Sequence, residues 1–250
     1  MCIFSRDITA VSATKIFARM EANKQAIVYE MVLATSQDTA MVLPIPIAQT
    51  NGGELVEFVD LSAYDDLFKD IEDLFPKTRT KSFSIDAPPA QATLVVHQVG
   101  AFQASFVPSQ QDFDRLDERF RLNTAVLEKL PMYADYGFVV FQLRKGEAKI
   151  HPMAFWFVTR DINQLYFPTV HVHDGQVHDH EKFDHILYGQ GNVHRGQLTD
   201  MTYRAMGSEK LKNISDQSVA LVAHDSEVFK KRLQGKLENK DTWFEISKNV

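Results

Sequence analysis

Short apolar runs set close together constrain this chain more than any other feature. Residues 15–20 (KIFARM) and 25–33 (QAIVYEMVL) flank a brief polar turn at 21–24, and residues 39–45 (TAMVLPI) follow directly. Runs of this length, rich in β-branched and aromatic residues and bounded by turn chemistry, are expected to be strands. Pro44 and Pro46 end the third, because proline donates nothing to a central ladder. Further along, residues 138–143 and 148–158 flank a turn at Lys145-Gly146 and read as a long hairpin carrying His151, Phe155, Trp156 and Phe157. Consecutive strand pairs outnumber strand–helix–strand alternations, which argues against a doubly wound sheet. The expected fold is α+β: a mostly antiparallel two-layer β structure with a few peripheral helices.

Helical periodicity is weaker. Residues 64–75 place Leu67, Phe68, Ile71, Leu74 and Phe75 on one stripe, with Asp65, Asp66, Asp70, Glu72 and Asp73 on the solvated remainder. Ser109 is a candidate N-cap for a helix burying Phe113, Leu116 and Phe120. A short helix is expected over 182–188, stopped by Gly189, and an amphipathic helix from Ser226 with Phe229, Leu233 and Leu237 opposite Lys230, Lys231 and Lys236. Residues 77–89 read as a connection, 93–107 as strand broken at Gly100, and 218–222 and 243–246 as further strands. Residues 1–196 are expected to form the main domain, with 197–250 an extension, a small subdomain or part of the same core.

Six of the nine histidines fall between Thr169 and His194. Val170-His171-Val172-His173 and Gln176-Val177-His178-Asp179-His180 flank Asp174-Gly175, the dipeptide favoured by a two-residue type I′ hairpin turn. In that register His171 faces His178, and side-chain alternation puts His171, His173, His178 and His180 on one face with the valines on the other. Cβ atoms of such pairs lie roughly 5 Å apart, so the imidazoles are expected to converge on a divalent metal, zinc first, with iron, nickel or copper also compatible. His185 is a candidate additional ligand, Asp184 a candidate to orient a ligand imidazole, and His194 a weaker candidate. The bland alternative is a polar strand face.

Cys2 is the lone cysteine, so no intrachain disulfide forms. If Met1 is removed, Cys2 carries both a thiol and an α-amine that can serve as its own general base, with Arg6 or Arg19 near a thiolate or anionic substrate. A strand-starting apolar residue is the alternative. The net charge of −6 offers no broad basic surface, which argues against nucleic acid as the main partner. No apolar run reaches the roughly 20 residues that span a bilayer, and no signal peptide is visible at the start, so the expectation is no membrane and a cytoplasmic location.

Several dispersed motifs resemble a bacterial family, domain of unknown function 2330. They are Cys2-Ile3-Phe4, Ile16-Phe17-Ala18, Tyr29, residues 41–46 (MVLPIP), residues 96–102 (VHQVGAF), residues 136–140 (YGFVV) and residues 150–153 (IHPM). The likeness covers roughly the first two thirds of the chain. In that family a cysteine near the mature N-terminus often precedes the first strand, as Cys2 would. Many members look exported, and here the chain departs from them. The resemblance implies a shared fold and supplies no reaction.

Three functions follow. The leading one is a metal-binding protein, a hydrolase if three histidines leave a position open for water. The second is an N-terminal cysteine hydrolase or amidase built on Cys2. The third is a non-catalytic binding or assembly module. For an enzyme, the partner is a small-molecule or peptide substrate.

Overall fold

The computed structural model describes residues 3–49, 54–75, 103–193, 197 and 209–246. Its elements run β1 (Ile3–Phe4), β2 (Ala10–Glu21), β3 (Lys24–Thr35), β4 (Thr39–Ile45), β5 (Val56–Val59), α1 (Leu67–Glu72), β6 (Gln103–Val107), α2 (Thr124–Glu128), β7 (Gly137–Leu143), β8 (Gly146–Val158), β9 (Gln164–Phe167), β10 (His180–Gln190), α3 (Glu209–Gln217), β11 (Val228–Glu238) and β12 (Thr242–Glu245). The larger sheet has the order β11-β10-β2-β3-β8-β5 and the smaller β1-β4-β7-β6, while β12 and β9 form a separate ribbon. These strand pairs are antiparallel except β10 with β2. The fold is therefore mostly antiparallel β with few, short helices, as the strand pairs implied.

The two sheets pack face to face. Ile16, Ile27, Tyr29 and Phe155 of the larger sheet share one apolar cluster with Met41, Leu43, Val139 and Phe141 of the smaller, and the Phe141 ring lies 6.2 Å from that of Phe155. The outer face of the larger sheet, with Phe17, Val28 and Tyr188, is covered by Leu67, Phe68 and Ile71 of α1 and Leu211 and Ile214 of α3. The outer face of the smaller sheet, with Val42, Phe138 and Val140, is covered by Phe113, Phe120, Val126 and the pair Val170 and Val172. Buried on both sides, β4 and β7 read as continuous apolar runs rather than alternating ones.

Several local expectations are corrected. Residues 182–188 and 228–238 are strands: β10 and β11 pair from His180↔Glu238 to Gln190↔Val228. Strands β7 and β8 are no hairpin. Their turn carries the chain between sheets, β7 pairing with β4 and β6 while β8 pairs with β3 and β5. After Ser109 come two 3₁₀ segments, Gln110–Arg115 and Glu118–Phe120, which still bury Phe113 and Phe120. Residues 218–222 form turns. Beyond residue 197, β11 completes the edge of the larger sheet and β12 pairs with β9. Among the described residues no helix is long and apolar enough to cross a membrane.

Candidate functional site

The expected hairpin at 169–180 does not form, because more distant partners take its backbone groups. Thr169 N and Val170 N donate to Asp241 Oδ1 at 2.8 and 3.1 Å. Asn239 accepts from His171 N at 2.7 Å and donates from Nδ2 to the carbonyls of His171 and His178, each at 2.9 Å. Phe4 N donates to the Val172 carbonyl at 3.1 Å and Ile8 N to that of His173 at 3.3 Å. Val172 bridges Ile3 in parallel, and His180 already belongs to β10. The Asp174-Gly175 turn survives as a local device: Asp174 Oδ1 accepts from Gln176 N at 2.9 Å, and Gly175 has a φ of 70°.

This rearrangement sorts the histidines differently from the sequence expectation. His178 and His180 are exposed, and His178 Nε2 lies 3.2 Å from Asp174 Oδ2. His171 and His185 are each only 1 % exposed. Their ring centroids are 4.9 Å apart, and that of His173 lies 5.1 Å from His171. Phe183 stands 4.2 Å from the His171 ring, and Phe4 meets His173 edge-on at 5.8 Å. The structure thus gathers His171, His173 and His185, with His185 supplied by an interior strand that the sequence read as helix. Asp184 turns its Oδ2 to the Ala13 amide at 2.8 Å, at the β-bulge of β2, and its Oδ1 lies 3.8 Å from His185 Nδ1. Cys2, His97 and His194 lie outside the described residues.

Burial is the largest influence on these imidazoles and pushes all three toward the neutral form. It holds His171 and His185 well below the ordinary histidine range and brings His173 down to about 4. Among the described residues, neither ring nitrogen of His171, nor Nε2 of His173, has a hydrogen-bond partner. A neutral, desolvated imidazole can accept a proton from a nearby acid or bind a metal. Metal binding needs in-plane lone pairs that converge, and here the rings lie at 25° and 32° to one another, closer to stacked than convergent. Among the described residues no group of three or more His, Cys, Asp or Glu side chains is arranged to hold a metal ion.

A second feature gives no clear signal in the sequence. A cavity of about 520 Å³ opens where residues 4–7, Gln37, Glu118, residues 121–123, Val126 and Gly175 meet. Phe4, Leu122 and Val126 supply its apolar lining and Arg6, Asp7, Glu118 and Arg121 its charges. Arg6 donates to the Glu118 carbonyl at 3.3 Å and Arg121 Nε to the Leu116 carbonyl at 2.7 Å.

No family model matches the chain. The fold has counterparts among solved structures. Baculovirus P35 aligns over 99% of this chain and 100% of its own, with a TM-score of 0.51 and 15% sequence identity. A mutated baculovirus P35 after caspase cleavage aligns over 94% of this chain and 100% of its own, with a TM-score of 0.47 and 14% identity. A chain of the caspase-8/P35 complex gives 94% and 96%, with a TM-score of 0.47 and 11% identity.

Proposed function

We propose that this chain engages a cysteine protease of the caspase class and acts as an inhibitor that the protease attacks like a substrate. The observation that carries this reading is the alignment with baculovirus P35 along both chains from end to end. A mutated P35 has been solved after caspase cleavage, and P35 in the caspase-8/P35 complex. A protein that is cut by a protease and also forms a complex with it stands to that enzyme as a substrate-like inhibitor. Caspases are named for cutting after aspartate. Residues 76–102, between α1 and β6 in sequence, contain one acidic residue, Asp86, in the stretch Phe83-Ser84-Ile85-Asp86-Ala87. We place the attacked bond between Asp86 and Ala87. Ala87 leaves an ordinary secondary amide there, whereas Pro88 and Pro89 come only afterwards.

The test is titration of purified chain into active caspases, caspase-8 first, with residual activity read on a fluorogenic peptide and products mapped by mass. The expected result is loss of activity approaching one chain per active site, with fragments ending at Asp86. Asp86→Ala should leave the enzymes active. Full activity of every caspase at excess chain would overturn the reading.

The reading built on Cys2 has one observation in its favour. Ile3, its neighbour in sequence, bridges Val172 between His171 and His173, and among the described residues His171 has no partner for either ring nitrogen. A neutral imidazole can take a thiol proton and lower the effective pKa of a cysteine. The check is the pH dependence of Cys2 alkylation by iodoacetamide. An inflection well below the ordinary 8.5 of a free thiol supports a thiol–imidazole pair, and an inflection at or above it sinks that pair.

A further inference from the structure

The outer face of the larger sheet carries a basic patch that the caspase reading does not use. Cross-strand neighbours share a face, so the register sets Lys182 directly against Lys236, Asp184 against Gln234, and Ile186 between Lys15 and Arg232. Lys182, Arg232 and Lys236 are exposed. Lys15 is engaged by Glu30 at 2.8 Å, Lys230 by Glu72, and Lys240 by Glu238. Among the described residues no carboxylate forms an ion pair with Lys182, Arg232 or Lys236. Asp184, which follows Lys182 on this face, is turned to the Ala13 amide, and Glu238, which follows Lys236, to Lys240.

Two like charges placed directly opposite one another on a sheet are destabilising. Lysines on an edge strand do serve to discourage edge-to-edge pairing, and β11 is an edge. That explanation accounts for cations along an open edge but not for setting two lysines directly against each other: Lys182 faces Lys236 where β10 pairs with β11 alone, its pairing with β2 covering only residues 186–190. What distinguishes these three is that they share one sheet face, in a chain whose net charge is −6.

We propose that Lys182, Arg232 and Lys236 form a docking surface for an acidic segment of a partner polypeptide. Arg232 and Lys236 are four residues apart on one strand, about 13 Å at roughly 3.3 Å per residue. An extended peptide with carboxylates four positions apart matches that separation, and Lys182 widens the cationic end. The patch is too small for a nucleic-acid backbone, whose binding typically draws on about six to ten phosphate contacts.

The experiment is fluorescence anisotropy with a fluorescein-labelled octaglutamate peptide and the full chain at low salt. Expected are saturable binding that weakens as salt rises and at least a tenfold loss of affinity in the Lys182→Glu, Arg232→Glu, Lys236→Glu triple variant. Circular dichroism should show that variant folded, and Lys182→Gln with Lys236→Gln should lose part of the affinity without charge reversal. Lys240→Glu should bind as the parent does. The proposal is overturned by absence of saturable binding, by unchanged binding in both variants, or by tighter binding of an equally charged single-stranded oligonucleotide or phosphatidylserine vesicle than of the peptide.

Discussion

Asn239 joins two limbs of the chain through one carboxamide: its oxygen and nitrogen close a reciprocal pair with the His171 backbone, and the same nitrogen reaches the His178 carbonyl. Two residues on, Asp241 accepts from the hydroxyls of Tyr133 and Tyr166 as well as from two backbone amides. Burial raises the Asp241 pKa while those hydrogen bonds hold it down, and burial prevails. None of this was legible locally, since Val170 to His180 carries every mark of a hairpin and the competing hydrogen-bond partners lie 61 to 72 residues away. Three hydrogen bonds at about 1 kcal/mol each predict that Asn239→Ala lowers stability by about 2–3 kcal/mol. Urea unfolding with an unchanged m-value measures this. A loss below about 0.5 kcal/mol, within the range of ordinary surface changes, would mean that the 169–178 segment is held by its apolar contacts alone.

The strands themselves show where sequence patterns inform and where they mislead. Strand β4 and the β2–β3 pair were legible because polar turns and proline bound their apolar runs. Strand β11 was misread because Phe229, Leu233 and Leu237 repeat every four residues, a spacing that fits one helix stripe and one strand face equally well. Strand β10 was misread because Gly189 looks like a helix stop. Its actual reason is packing. A Cβ at Gly189 would lie 2.4 and 2.5 Å from Phe229 ring atoms and 3.0 Å from Leu165 Cδ2, so β10 can pass there only without a side chain. Overpacking of this kind costs about 1–3 kcal/mol or more. Gly189→Ala should therefore destabilise by at least about 2 kcal/mol. Gly175→Ala, with open space around its Cβ and only its φ of 70° against it, should cost about 1–2 kcal/mol. Thermal unfolding of both variants tests the order, and equal shifts in Tm would refute the packing explanation.

At the scale of the whole molecule the histidine cluster is a junction. His171 and His173 come from the segment that covers the smaller sheet, His185 from an interior strand of the larger, and Phe4 from the first strand. Part of this site was visible in the sequence, since His171, His173 and His185 were all candidates; their convergence through burial, without a hairpin, depended on tertiary pairing. The junction predicts how stability depends on pH. In the unfolded chain each histidine takes a proton near pH 6.5, whereas in the folded chain burial keeps His173 neutral down to about pH 4 and the other two further still. Below pH 6.5 the unfolded state therefore binds more protons, so stability is complete above that pH and falls as the solution is acidified. Each histidine contributes a slope of at most about 1.4 kcal/mol per pH unit. Tm measured from pH 8 to pH 4.5 should be level above about 6.5 and decline below it. His171→Phe with His185→Phe, which keeps flat rings in the same apolar space, should reduce that decline by more than half. An equally steep decline in the double variant would assign the acid sensitivity to carboxylates elsewhere and remove the cluster from the account.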